Sequence, residues 1–216
     1  NFNYIYMKTI KTIQLAVITT LLLGLTACNN DDDDSNTIEV TSHTVTNLQA
    51  TQSADYSTNP PTITGAYIKF SFASGTTTTG DDWDIAFRGS TILVNGGTAT
   101  TEDQPERTSE AAAYIASGTL ASITEVQTDS FKTDSAIDGL AIPTGSDNGW
   151  YTYDATSHVI SPIAGKVILV KTVTGRYAKF EITSYYENGA PNEALSNSQF
   201  YSFNYVYQPN AGVTTF

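Results

Sequence analysis

Cys28 is the one cysteine of this chain, and it closes the run Leu25-Thr26-Ala27-Cys28. An apolar segment, Ile13 to Leu25, lies behind it, and Lys8 and Lys11 precede that segment just after Met7. A basic region, an apolar core and a small-residue cleavage site, in that order, make a secretory signal. With cysteine at the first mature position, the chemistry predicted is acylation: a diacylglycerol on Sγ and a third acyl chain on the new amine. Each buried methylene contributes roughly 0.8 kcal/mol, so several chains hold where one does not. Residues 1–6 lie ahead of the expected start methionine and are given no structural role.

Other reactive patterns are sparse. The chain has no G-x-S-x-G elbow and no His/Glu zinc-helix motif. Ser and Asp are plentiful, but no spacing singles out a catalytic triad. Asp81, Asp82 and Asp84 offer a carboxylate pair for glycoside cleavage. They read more simply as solvent-facing flanks of a strand around a buried Trp83. Asp147-Asn148-Gly149 reads as a turn rather than a calcium loop. Gly96-Gly97 lacks the strand–helix setting of a phosphate loop. With its one cysteine acylated, the chain has no disulfide, no thiol catalysis and no cysteine-based zinc site. The expectation is a binding protein, not an enzyme.

Cleavage before Cys28 removes 27 of the 216 residues and leaves 189, enough for one domain with a core of its own. Lys8 and Lys11 leave with the signal, so eight basic residues face 22 acidic ones, a formal charge of −14. Such a surface repels phosphate backbones and anionic lipid. Nucleic acid is therefore excluded as a partner, and membrane contact falls to the anchor alone. After the cysteine come Asn29-Asn30, four consecutive aspartates (Asp31 to Asp34) and Ser35-Asn36-Thr37. Adjacent carboxylates repel and bury nothing, which predicts a solvated tether. An acidic run in this place resembles the export signal that sends lipoproteins of Bacteroidota to the outer face of the outer membrane. The expected organisation is a removed leader at 1–27, a tether at 28–40 and one β domain at 41–216.

The elements that must position any site are strands. Thr, Tyr, Ser and Gly abound, while Leu, Lys and Glu are few. Ile63 to Phe72 alternates, with Ile68, Phe70 and Phe72 on one face. Trp83 to Phe87 alternates again and predicts Trp83, Ile85 and Phe87 inward. Ser90 to Val94 is a short strand closed by Asn95-Gly96-Gly97. Residues 75–82 and 98–109 read as loops. Glu110 to Ala116 is either a helical turn or a small-residue strand. Residues 126–148 read as irregular, with room for one short helix. Trp150 to Tyr153 and Val159-Ile160 flank Asp154 to His158 as a hairpin. Lys166 to Lys171 and Tyr177 to Tyr186 form a second hairpin around Gly175. Gln199 to Tyr207 is a last strand, with Tyr201, Phe203, Tyr205 and Tyr207 on one side. The predicted fold is all-β, an antiparallel two-sheet sandwich or an open barrel with one or two short helices.

Three blocks then carry a family resemblance. They are Asp82-Trp83-Asp84-Ile85-Ala86-Phe87-Arg88 with Ile92-Leu93-Val94-Asn95-Gly96-Gly97; Gly149-Trp150-Tyr151-Thr152-Tyr153; and Lys166 to Lys171 with Gly175 to Tyr186. In order and spacing they resemble the HmuY family of haem-binding lipoproteins over most of the mature chain. The resemblance implies a β-rich fold whose two loops reach over a haem, each giving one axial ligand. It also implies delivery of the haem to an outer-membrane transporter, and so a role in iron acquisition at the cell surface.

Under that resemblance the ligands must come from His, Met, Tyr or Cys. Cys28 is acylated and Met7 leaves with the signal, so His43 and His158 are the imidazoles. His158 lies in the loop where the family's second ligand falls, a few residues further on. The first family ligand belongs between Ser122 and Gly139, a segment without His, Met or Tyr. The arrangements left are His158 alone as the haem-iron ligand, Tyr151 or Tyr153 as a phenolate beside a cation, and His43 reaching across from near the tether. An alternative is a surface ligand-binding or adhesion module on the same scaffold without paired ligation.

Overall fold

The computed structural model describes residues 37–216. Cys28, the signal and the first part of the 28–40 tether lie outside the described residues. The unit from Ile38 to Phe216 is built from thirteen strands, all antiparallel within their sheets. β1 (Thr41–Gln49), β13 (Ser198–Gln208), β12 (Tyr177–Tyr186), β11 (Lys166–Lys171) and β8 (Ala112–Ser117) form one sheet in that order. β5 (Thr76–Thr77), β4 (Ile68–Ser71), β6 (Ile85–Arg88) and β7 (Thr91–Val94) form a second. Two separate hairpins pair β2 (Ser53–Asp55) with β3 (Thr62–Thr64), and β9 (Tyr151–Tyr153) with β10 (Ile160–Pro162). The only helical pieces among the described residues are 3-10 turns at Thr128–Ser130 and Glu187–Gly189. Among those residues no helix is long and apolar enough to cross a membrane.

The two larger sheets pack face to face through aromatic side chains. Alternation along β12 and β13 puts Ala178, Phe180, Ile182 and Tyr201, Phe203, Tyr205 on the inner face. Phe70, Phe72, Ile85 and Phe87 of the second sheet's side meet them. Ring centroids are 5.4 Å apart for Phe70–Phe203, 5.6 Å for Phe72–Phe180 and 4.7 Å for Phe87–Tyr201. Tilted and edge contacts of this kind add about 0.5–1.5 kcal/mol each beyond the area buried. The Tyr201 hydroxyl donates to Gly89 O at 2.8 Å, so the buried phenol is satisfied. β11 is covered on both faces. Ile168 and Val170 enter the main core, while Val167 and Leu169 pack outward beneath Val126, Ile123 and Phe131.

Several sequence expectations change in detail. The strand expected over Ile63 to Phe72 is broken into β3 and β4. Gly65 adopts φ +123°, and a Cβ there would overlap Thr51 O, so the chain turns away at its closest approach to the neighbouring segment. Trp83 does not share a face with Ile85 and Phe87. It precedes β6 and packs on the outer side with Ala86 and Leu93, because alternation starts only where the ladder starts. Asp84, expected in solvent, is 1% exposed. Its Oδ2 accepts from Phe72 N at 2.8 Å and its Oδ1 from Val173 N at 2.9 Å, joining the second sheet to the β11–β12 turn. Residues 110–116 resolve as the small-residue strand β8. β1, β2 and the two-residue β5 are additions.

Candidate functional site

The β9–β10 hairpin presents His158. Asp154 Oδ1 accepts from Thr156 N at 2.7 Å and Ser157 N at 3.1 Å, and Asp154 N donates to Val159 O at 2.9 Å. This is an Asx turn, which a short acidic side chain makes locally. Those backbone donors, Ser157 first, hold the Asp154 carboxyl below its ordinary pKa. His158 closes the turn at φ +60° with an exposed side chain. Its Nδ1 lies 2.5 Å from the Tyr153 hydroxyl, which is 42% exposed. No hydrogen bond engages His158 Nε2 among the described residues.

The hairpin is tied to both sheets. Trp150 Nε1 donates to Ser90 O at 3.1 Å on the second-sheet side. Ile160 N donates to the Tyr186 hydroxyl at 2.9 Å on β12. The loop before it is tied as well, through Tyr153 N to Ser146 Oγ at 2.8 Å and Asp147 N to Tyr151 O at 2.9 Å.

Tyr151 is 7% exposed and packs on Trp150, with ring centroids 4.9 Å apart. Its hydroxyl accepts from Gly145 N at 3.2 Å and lies 3.4 Å from Ser90 Oγ. The structure thus brings Tyr153 and His158 together and places Tyr151 in the core beneath them. His43 is elsewhere. It sits on β1 opposite Tyr205, stacks on that ring at 4.9 Å, and has Nε2 2.8 Å from Thr41 Oγ1. Tyr205 pairs with Phe180, six residues along β12 from Tyr186. At about 3.3 Å per residue that is roughly 20 Å. The two histidines therefore stand toward opposite ends of the strand.

The 122–139 segment is spent on the fold. Ile123, Val126 and Phe131 cover the outer face of β11, and Phe131 stacks on Tyr177 at 5.7 Å. Lys132 exchanges backbone bonds with Ala113 of β8. Asp134 is the anchor: its carboxylate accepts from Val94 N at 3.1 Å, Ala141 N at 3.0 Å and Arg107 Nη2 at 2.7 Å. Both side chains of that ion pair are buried, at 1% and 0% exposure. Burial pushes the Asp134 carboxyl up despite the guanidinium and the two amide donors. Between Asp129, Ser130 and Lys132 on one side and Pro143, Asn148 and Lys166 on the other lies an open depression of about 480 Å³. It joins this segment to the loop that supports Tyr153.

Around the first motif block the polar contacts hold loops to the core. Arg107 caps the Trp83 ring at 5.8 Å, and Arg88 stacks on Tyr67 at 4.1 Å while pairing with Asp103 at 2.5 Å. Asn95, wholly buried, donates to Asp81 O and Trp83 O at 3.0 Å each. Sequence reasoning missed Arg107 and Asp134, and read Asn95 as a turn residue rather than a buried donor. The signal for them was polar residues set among loops that must close over a core.

The HmuY protein family model matches residues 64–205. The chain belongs to the HmuY family. The crystal structure of the Tannerella forsythia apo HmuY analog, TFO, is similar at 16% identity and a TM-score of 0.45, covering 81% of this chain and all of that one. Apo PinO from Porphyromonas gingivitis is similar at 15% identity and a TM-score of 0.34, again covering 81% of this chain and all of the other. No curated protein matches the chain in sequence.

Proposed function

We propose that this HmuY-family chain is a surface-anchored lipoprotein that binds haem for iron acquisition, with His158 as its imidazole ligand. The carrying observation is the Tyr153–His158 pair at the hairpin tip. A ligating imidazole gives one nitrogen to the metal and the other to a hydrogen bond that fixes the ring and raises its basicity. Nδ1–H donating to the Tyr153 hydroxyl leaves the Nε2 lone pair for iron; this tautomer is assigned from that role. Haem, when bound, would supply the iron and its propionates, and Lys132 and Lys166 beside the depression would offer those propionates cations. The residues present would give haem iron one protein ligand, not two. The 122–139 segment offers no His, Met or Tyr, and His43 is stacked on Tyr205 at the far end of the sheet, on β1. Ligation in this reading is by a single imidazole, and Tyr151 serves by supporting the loop.

The reading extends to the rest of the chain as follows. Cys28 carries the anchor, the acidic tether holds the domain off the outer membrane facing the exterior, and an outer-membrane receptor takes the haem. The chain binds rather than catalyses. The lack of a second ligand favours a second reading, a different small ligand held by the same two loops.

Hemin titration by absorbance tests the first. A saturable Soret change at micromolar hemin is expected, weakened at least about tenfold in His158→Asn, since Asn tolerates the positive φ without supplying an imidazole. Tyr153→Phe should weaken binding about tenfold. No Soret change, or an unaltered one in His158→Asn, rejects it and leaves the second reading.

A further inference from the structure

On the outer face of the five-stranded sheet, register sets Ser42, Val206, Lys179, Leu169 and Tyr114 in one row across the strands. The layer made by residues 118–131 and Phe216 covers Leu169 and stops beside Lys179. A cleft of about 570 Å³ opens there, within the range of small-molecule sites. Its floor is Ser42, Val206, Lys179 and Glu181; Leu120 and Phe216 wall it.

Lys179 is the anomaly in this cleft. It is 4% exposed, and its two neighbours in the row, Val206 and Leu169, are buried and apolar. Buried ammonium groups are rare unless paired. Its Nζ donates to Ile123 O at 2.6 Å and lies 4.6 Å from the centre of the Phe216 ring. The three ion pairs found among the described residues do not include it. An ammonium has three donors, so two remain without a described partner. Desolvation lowers its pKa, which an anion in the cleft would reverse. Glu181, also lining the cleft, stands against a second negative charge on any guest. The flanking surfaces from Val40, Leu120, Val206 and Phe216 are hydrocarbon.

We propose that this cleft binds an aliphatic monocarboxylate, with the carboxylate on Lys179 and the chain along Leu120, Val206 and Phe216. The site is separate from the His158 hairpin and does not rest on haem binding.

Calorimetric titration of the mature chain with dodecanoate, below its micelle concentration, tests it. One saturable site is expected, with amide shift changes at Ile123, Lys179, Val206 and Phe216. Lys179→Met, which keeps the stem and removes the charge, should weaken binding at least about tenfold, and dodecanol should bind the wild-type chain about tenfold more weakly than dodecanoate. Ser42→Trp, at an exposed edge position, should block the cleft and keeps the test sound if Lys179→Met fails to fold. His158→Asn should bind dodecanoate as the wild type does. No saturable binding, equal binding in either cleft variant, or shifts confined to other residues overturns the proposal.

Discussion

At the buried Asp134–Arg107 pair a single substitution strands several partners. Asp134→Ala removes one acceptor group from three donors at once: Val94 N, Ala141 N and Arg107 Nη2. Each stranded backbone donor costs about 1–3 kcal/mol. The guanidinium, 1% exposed, is left as an uncompensated buried charge. Rupture of a buried pair by removing one partner costs about 3–5 kcal/mol, against a total of about 5–15 kcal/mol for an ordinary domain. Loss of the pair alone sets a floor, so Asp134→Ala should remove at least about 4 kcal/mol. Arg107→Met leaves a carboxylate that keeps its two amide donors and has the further option of binding a proton. Its cost should be smaller, about 2 kcal/mol at neutral pH. Without the cation the folded-state pKa of Asp134, already raised, rises further. Stability of Arg107→Met is then greatest below the ordinary carboxylate pKa and falls as pH rises through the new one. Urea unfolding followed by tryptophan fluorescence reads all of this, since Trp83 lies beneath Arg107. The double variant should cost less than the two singles added, by at least about 1 kcal/mol. Additive singles, or singles below about 1 kcal/mol each, would refute the reasoning.

Two further outcomes follow from the same framework. Burial raises Asp84 from 3.8 to about 6, so the folded state binds its proton more tightly than the unfolded one. Its contribution is full below about pH 4 and declines by roughly 3 kcal/mol as pH rises to about 6; Asp84→Asn should lack that slope, and parallel pH–stability curves would sink the assignment. Gly97 holds φ +84°, and an added Cβ would overlap Asp134 O. Gly97→Ala should cost more than about 2 kcal/mol by thermal melting, with an unchanged midpoint counting against it.

Much of the sandwich was legible because its main strands alternate and their inward residues are large. Phe70, Phe180 and Phe203 declare their faces by type alone. What was hidden is what depends on a partner distant in sequence. The break at Gly65 is dictated by Thr51 O, and the burial of Asp84 by amides at Phe72 and Val173. β1 shows few large apolar residues because it is an edge strand whose residues are mostly exposed. For the candidate site, composition alone narrowed the imidazoles to His43 and His158. Their separation could not be read, since it follows from the registers of β1 with β13 and β13 with β12. The hydroxyl beside His158 was within reach of sequence, because a five-residue hairpin turn brings its ends together.

Fastened to β12 through Tyr186 and to Ser90 through Trp150, the His158 hairpin behaves as a bracket with little freedom of its own. Under the proposed reading a guest would meet an imidazole whose ring is already held by the Tyr153 hydroxyl, so little entropy would be lost on that flank. In that reading, whatever adjustment capture demands falls to the far side of the depression, where Asp129, Ser130 and Lys132 are exposed. Selectivity among guests would then be set by the side that gives rather than by the side that grips.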